Sequence, residues 1–154
     1  MPKVILKKIN KCNLMSILQL SVKPEQKGLV APNVVSIAEA HFNKDAWFRA
    51  IYADNIPIGF VMISDTLLKY KFNQNHRPSY IIWRFMIDAK YQGKGYAKEA
   101  MNLIINHIKK RPKAKEILLS HSQSSGNAGP FYKKFGFEYT GTTIADELVM
   151  SLNL

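Results

Sequence analysis

Asp88-Ala89-Lys90-Tyr91-Gln92-Gly93-Lys94-Gly95-Tyr96-Ala97 is the stretch on which the fold turns. Before it runs the most strand-like segment of the chain, Tyr80-Ile81-Ile82-Trp83-Arg84-Phe85-Met86-Ile87-Asp88, dense in β-branched and aromatic residues. After it comes a helical pattern, Ala97 to Lys110, in which Ala97, Ala100, Met101, Ile104, Ile105 and Ile108 share one face at i, i+3, i+4 spacing. Glycines one residue apart let the backbone turn with φ > 0 and let a ligand approach with no Cβ in the way. The helix start leaves unpaired N–H groups with a partial positive charge behind them, and Lys94 adds a full charge at the mouth. Together these form a phosphate cradle. The spacing G-x-x-x-x-G-K-[ST] of a Walker A loop is missing, and a G-x-G-x-x-G dinucleotide loop would need glycine where Lys98 stands. A glycine-rich turn that holds no ligand shares the same local pattern.

Outward from this junction the elements alternate irregularly. Val4 to Ile9 opens a sheet, and residues 11–20 read as a short helix with Leu14, Ile17 and Leu18 on its apolar side. Pro32-Asn33 starts a second amphipathic helix through Val34, Val35, Ile37 and Ala38 to His41, with Glu39 on the run. Trp47 to Ala53 and Ile56 to Ile63 form a hairpin about Asp54-Asn55, two residues that tolerate positive φ. Asn73 to Pro78 is a polar loop. Ile117 to Ser120 is a short buried strand, His121 to Gly129 a polar run, and Phe131 to Phe135 a brief helix. Strands near Phe137 to Gly141 and Glu147 to Leu152 follow. The order β-α-α-β-β-β-α-β-α-β-β predicts a mixed α/β sheet, not a doubly wound one, in a single domain over residues 1–154.

With 47% apolar residues, 8 Phe, 7 Tyr and 2 Trp, the chain can bury a core of its own. Cys12 is the lone cysteine, so no intramolecular disulfide or cysteine zinc site is available and no metal is expected. No run approaches the roughly 18 apolar residues of a membrane helix, and the N-terminus lacks a signal-peptide pattern, so a cytoplasmic protein without a membrane partner is expected. Lys and Arg outnumber Asp and Glu by 22 to 11, a net charge of +11 that draws anions of every kind. The densest basic run, Lys109-Lys110-Arg111-Pro112-Lys113-Ala114-Lys115, is broken by proline and suits a solvated helix end better than a nucleic-acid footprint.

Gln92-Gly93-Lys94-Gly95-Tyr96-Ala97 resembles motif A of the GNAT acetyltransferases, Q/R-x-x-G-x-G/A. Ala128-Gly129-Pro130-Phe131-Tyr132-Lys133-Lys134-Phe135-Gly136-Phe137 is similar to the family's second signature, A-x-x-ϕ-Y-x-K-ϕ-G-F, and the order is the family's. The resemblance covers essentially the whole chain. It implies a sheet, mostly antiparallel, with a splayed central strand pair flanked by about four helices. It implies acetyl-CoA as co-substrate, with its pyrophosphate on the backbone of Gln92, Gly93, Lys94, Gly95, Tyr96 and Ala97 and its pantetheine paired along Met86, Ile87 and Asp88. Tyr132 falls where the family commonly has its general acid. Relatives often carry an asparagine at the position of Ser125; Asn127, two residues on, is taken here with Lys134 as a cofactor contact. By the same analogy there is room for a homodimer.

An attacking amine must be neutral, so a carboxylate or ordered water has to take its proton. Glu39, Asp88 or a water chain are the candidates, Glu39 being carried as the catalytic or substrate residue; His41 and His121 read better as structural groups. Val22 to Asn33, Ser36 to Ala40 and Trp83 to Asp88 are similar to the bacterial spermine/spermidine acetyltransferase branch. That similarity implies a polyamine or related small amine, with Trp83 and Tyr80 as cation–π faces. Protein lysines or N-termini are the rival acceptors, and a non-catalytic acetyl-CoA-binding module is the rival from another class.

Overall fold

The computed structural model describes residues 1–70, 73, 75–124 and 128–154, so Ser125 and Asn127 lie outside the described residues. Seven strands form one open sheet: β1 (Val4–Lys7), β2 (Ala46–Ala53), β3 (Ile56–Asp65), β4 (Tyr80–Ile87), β5 (Glu116–His121), β6 (Glu138–Ile144) and β7 (Glu147–Asn153). Five helices flank it: α1 (Leu14–Leu18), α2 (Asn33–Phe42), α3 (Thr66–Tyr70), α4 (Tyr96–Lys109) and α5 (Gly129–Lys133). The strand order is β1-β2-β3-β4-β5-β7-β6. Only β4 and β5 run parallel among the described strands, as the β4–α4–β5 crossover requires. The expected mixed, mostly antiparallel sheet is the one observed. The pattern gives no sign of α3, a single turn whose Leu67 N–H is received by Asp65 Oδ1 at 3.1 Å. No helix of the described residues is long and apolar enough to cross a membrane.

Two hydrophobic layers follow from strand alternation. On one face, Ile58, Val61, Ile63, Tyr80, Ile82 and Ile87 pack beneath Ala100, Met101, Ile104, Ile105 and Ile108 of α4. Full burial of each such large side chain contributes about 1.5–3 kcal/mol, which is why the i, i+3, i+4 stripe holds α4 to the sheet. On the other face, Ala50, Tyr52, Phe60, Met62 and Met86 pack beneath Ile17 of α1 and Ile37 and Ala40 of α2.

Two irregularities set up the site. Met62 pairs with Arg84 but Ile63 pairs with Ile82, so Trp83 is an extra residue, a β-bulge in β4. Strand alternation would put Ile81 and Arg84 on opposite faces; because of the bulge both point toward α2, opposite Ser64 and Met62. Second, β4 and β5 pair only at Ile81–Leu118 and Ile82–Leu119, while β5 pairs with β7 along all six of its residues. Held by β7, β5 leaves β4 beyond Ile82, and the β4 edge from Trp83 onward has no strand beside it.

Candidate active site

A cleft of about 1100 Å³ occupies this splay. One half is bounded by the β4 edge (Phe85, Met86, Ile87), by Gln92, Gly93, Gly95 and Ala97, and by Phe131 and Tyr132 of α5. Phe85 and Phe131 stack across it with ring centroids 6.2 Å apart.

The loop after β4 is held from below by its own side chains. Asp88 is buried; its carboxylate accepts from Lys90 N–H and Ser21 N–H, each at 2.9 Å, and caps the 3-10 turn Ala89–Tyr91. Gln92 Nε2 donates to the Ile87 carbonyl (2.9 Å) and to Gln26 Oε1 (2.8 Å), stitching the loop to the 24–26 turn. Both side chains are thus committed to the protein, and what they leave toward the cleft is backbone. Gly93 (φ 73°) and Gly95 (φ 86°) take left-handed conformations, where a side chain is strained. A Cβ on Gly93 would meet no protein atom within 4 Å, so the space above the loop is open. Gly95 is the N-cap of α4 and supplies no side-chain acceptor to the first-turn N–H groups. A bare 14-residue helix N-terminus, an open glycine loop and a free strand edge fit a phosphorylated, amide-bearing chain such as coenzyme A. Of the other expected contacts, Lys94 is exposed with its Nζ 5.6 Å from the Tyr91 ring centroid, Tyr96 packs against the core, and Lys134 is exposed at the end of α5.

The second half of the cleft is bounded by the Gln26–Pro32 segment, Asn43, Asp45, Ser64, Trp83, Arg84, Ser120, His121 and Glu147. Tyr132 stands between the halves, half-buried, its ring against Phe131 (5.3 Å) and Phe137 (5.9 Å). Burial pushes its phenol up to about 12, and the Glu147 carboxylate adds to the rise. His121 is buried and held at both nitrogens, Nδ1 at 2.8 Å from the Ser122 carbonyl and Nε2 at 3.0 Å from the Tyr139 hydroxyl. The structural role expected for it agrees with this. Glu39 does not itself line the cleft; its Oε2 accepts from Arg84 Nη2 at 3.1 Å, and Arg84 does line it. Tyr80, read as a cation–π face, is buried in the α4-side core with its hydroxyl donating to the Pro112 carbonyl.

Asp45, Ser64, Ser120 and Glu147 are the cleft residues that sequence reasoning passes over. Each is an ordinary acid or serine in its local context, and only the sheet register brings them to one place.

A family model described as acetyltransferase (GNAT) family matches residues 14–137. A spermine/spermidine N(1)-acetyltransferase of Bacillus subtilis (strain 168) is 30% identical over 141 residues, 88% of each chain. Arabidopsis thaliana Naa50, solved with a bisubstrate analogue CoA-Ac-MVNAL, superposes with a TM-score of 0.69 at 23% identity, over 98% of this chain and 99% of that one. PaiA N-acetyltransferase from Thermoplasma acidophilum, solved with coenzyme A, gives 0.67 at 17% identity over 99% of both. The glycine loop and the splayed strands thus have a family around them: this chain belongs to the GNAT acetyltransferases and is an acetyl-CoA-dependent N-acetyltransferase.

Proposed function

We propose that the chain acetylates a primary amine of a polyamine or similar small amine by direct attack: the neutral nitrogen bonds to the thioester carbonyl carbon, the C–S bond breaks, the amine's proton passes to water in the cleft, and coenzyme A leaves with Tyr132 as the acid at its sulfur. The observation that carries this is the Tyr132 phenol, its ring held by Phe131 and Phe137, at the junction of the two halves of the cleft beside the free edge of β4. Acetyl-CoA supplies the thioester that the amine attacks. The cofactor half would hold it by the backbone of Gln92 to Ala97 and the edge of Met86 to Asp88.

The protein's own groups then do three things. The Gln26–Pro32 segment, with Trp83 from the bulge, walls the acceptor half and brings amine and thioester together. Glu39 neutralises Arg84, so that a cation entering the cleft does not meet a bare guanidinium. Tyr132 keeps its proton throughout the neutral range and offers it to the sulfur as negative charge develops there. A phenol near 12 is a weaker acid than a thiol of about 8.5, so its main contribution is the hydrogen bond to that charge. The spermine/spermidine relative at 30% identity supports the choice of acceptor.

Thiol release from acetyl-CoA across a panel of spermidine, spermine, other amines and N-terminal peptides tests this. Tyr132→Phe should lower kcat by about 10²–10⁴-fold while the KM for acetyl-CoA stays close to wild type. Because Tyr132 ionises only near 12, the wild-type rate should rise with pH as the amine deprotonates and show no basic fall below about pH 11. Full activity in Tyr132→Phe would remove the phenol from the chemistry. Turnover confined to the peptides would replace the polyamine with a protein acceptor.

A further inference from the structure

The acceptor half of the cleft holds two carboxylates with no cationic partner among the described residues. Among the described residues the ion pairs are Arg84–Glu39 and Arg111–Asp65; Asp45 and Glu147 have no protein cation within ion-pair distance. Both are half-buried, and both line the cleft. Each is fastened by a serine: Ser64 Oγ donates to Asp45 Oδ2 at 2.5 Å, and Ser120 Oγ donates to Glu147 Oε2 at 2.6 Å. A half-buried charge is unfavourable unless it is paired, and a chain with 22 Lys and Arg has many to offer. That these two acids are oriented by neutral hydroxyls and left open toward a cleft points to a cation from outside.

The sheet register sets how far apart the two serines that hold them are, the acids themselves lying one strand further out on either side, at the entry to β2 and on β7. Ser64 lies opposite Ile81, Ile81 lies beside Leu118, and Ser120 is one pleat beyond Leu118 on β5. All four therefore present their side chains to the α2 face. Two strand spacings and one pleat put the two serines roughly 12 Å apart, before the splay of β5 widens the gap. An extended aliphatic chain of nine single bonds spans about 11 Å between its terminal nitrogens. Trp83 and Arg84 lie between the two anchors on β4, and Glu39 cancels the charge of Arg84. Lys27 lines the cleft from the Gln26–Pro32 segment but is exposed, free to turn its head group to water. The acceptor half is thus locally acidic in a molecule of net charge +11.

We infer that Asp45 and Glu147 are the specificity-determining residues of the acceptor site, Glu147 receiving the amino group presented to the thioester and Asp45 the distal ammonium of the same molecule. This rests on the polyamine reading and narrows it to amines with a second positive charge roughly a cleft's length from the first. Glu147 is the proximal anchor because Ser120, which holds it, adjoins His121, whose ring centroid lies 6.4 Å from that of Tyr132. Asp45, at the entry to β2 on the other side of β4, is the distal one.

The test is kcat/KM for a series of α,ω-diamines of increasing length, spermidine, and a monoamine of matched length, with wild type, Asp45→Asn, Asp45→Glu and Glu147→Gln. Asp45→Asn should raise the KM for the longer diamines and spermidine by about tenfold, the size of a partly desolvated charge pair, with kcat unchanged. The monoamine should lose several-fold less than the longer diamines do, and Asp45→Glu should restore the preference for a second charge. Glu147→Gln should lower kcat/KM for every amine alike. An equal loss on monoamine and diamines in Asp45→Asn, or no loss on either, would overturn the distal anchor while leaving polyamine acetylation in place. A wild type that binds coenzyme A in a thermal-shift assay but turns over no amine would overturn the polyamine reading and this assignment with it.

Discussion

Gly59 stands where only a hydrogen atom fits. A Cβ there would collide with the Met86 carbonyl oxygen and come within 2.9 Å of Ile87 Cδ1 and 3.2 Å of Ile51 Cδ1. The carbonyl it would strike faces β3, behind the Met86–Asp88 stretch assigned to the pantetheine, so the glycine sets how closely β3 supports β4 there. Gly59→Ala should destabilise the protein by about 1–3 kcal/mol, read from urea or thermal melting, and should raise the KM for acetyl-CoA more than that for the amine. Equal KM changes for both substrates would mean that β4 absorbs the methyl without moving its free edge. Gly93 and Gly95 are different: there the demand is a positive φ and open space, and their spacing before a helix makes that demand legible in the sequence. Gly59 carries no such mark, because the two atoms nearest a side chain there, from Met86 and Ile87, belong to a strand more than twenty positions away. Asp45 and Glu147 were hidden for the same reason. Each serine–carboxylate couple joins two neighbouring strands, Ser64–Asp45 across β2 and β3 and Ser120–Glu147 across β5 and β7, and the two face one cleft only once β2, β3, β4, β5 and β7 are in register.

Among the elements, α4 and β4 were legible because each carries a periodic signal of its own. The five buried residues of α4, Ala100, Met101, Ile104, Ile105 and Ile108, are all on the stripe that the spacing marks out. The bulge at Trp83 was not legible, since no residue type marks it and it appears only as a slip in pairing with β3. At the outer side of α4, His107 stacks on Trp47 of β2 with centroids 4.0 Å apart and planes at 19°. Burial lowers its pKa below the usual 6.5, and Arg111 and Arg49 push the same way, with Lys110 adding less; Asp65 opposes them. A histidine held neutral in the fold but free to protonate when unfolded stabilises the protein at high pH, and that contribution is lost as the pH falls through 6.5 and toward the folded value. His107→Phe keeps a ring on Trp47 and removes the titration. The melting temperature of the variant should therefore gain on that of the wild type as the pH is lowered from about 7 to 5. A constant difference across that range would show that His107 keeps its ordinary pKa in the fold.

At the scale of the molecule, charge and cleft work against each other for one substrate and together for the other. A net charge of +11 attracts acetyl-CoA, an anion, from a distance, and the same field repels a polyamine. The field is felt only over a Debye length, about 10 Å at 0.1 M salt and roughly 3 Å at 1 M. Half-buried carboxylates such as Asp45 and Glu147 act at contact and are screened far less. Raising the salt from about 0.05 to 0.5 M should therefore raise the KM for acetyl-CoA several-fold, because only its long-range attraction is lost. For spermidine the screening removes a repulsion while the contact pairs persist, so its KM should stay level or fall. Initial rates at four or five salt concentrations, each substrate varied in turn, measure both trends. Parallel rises in the two KM values would mean that the amine too is drawn in by exposed charge and not by a sheltered acidic cleft. Opposite trends would place the recognition of the cation inside the cleft that the two serine-held carboxylates line.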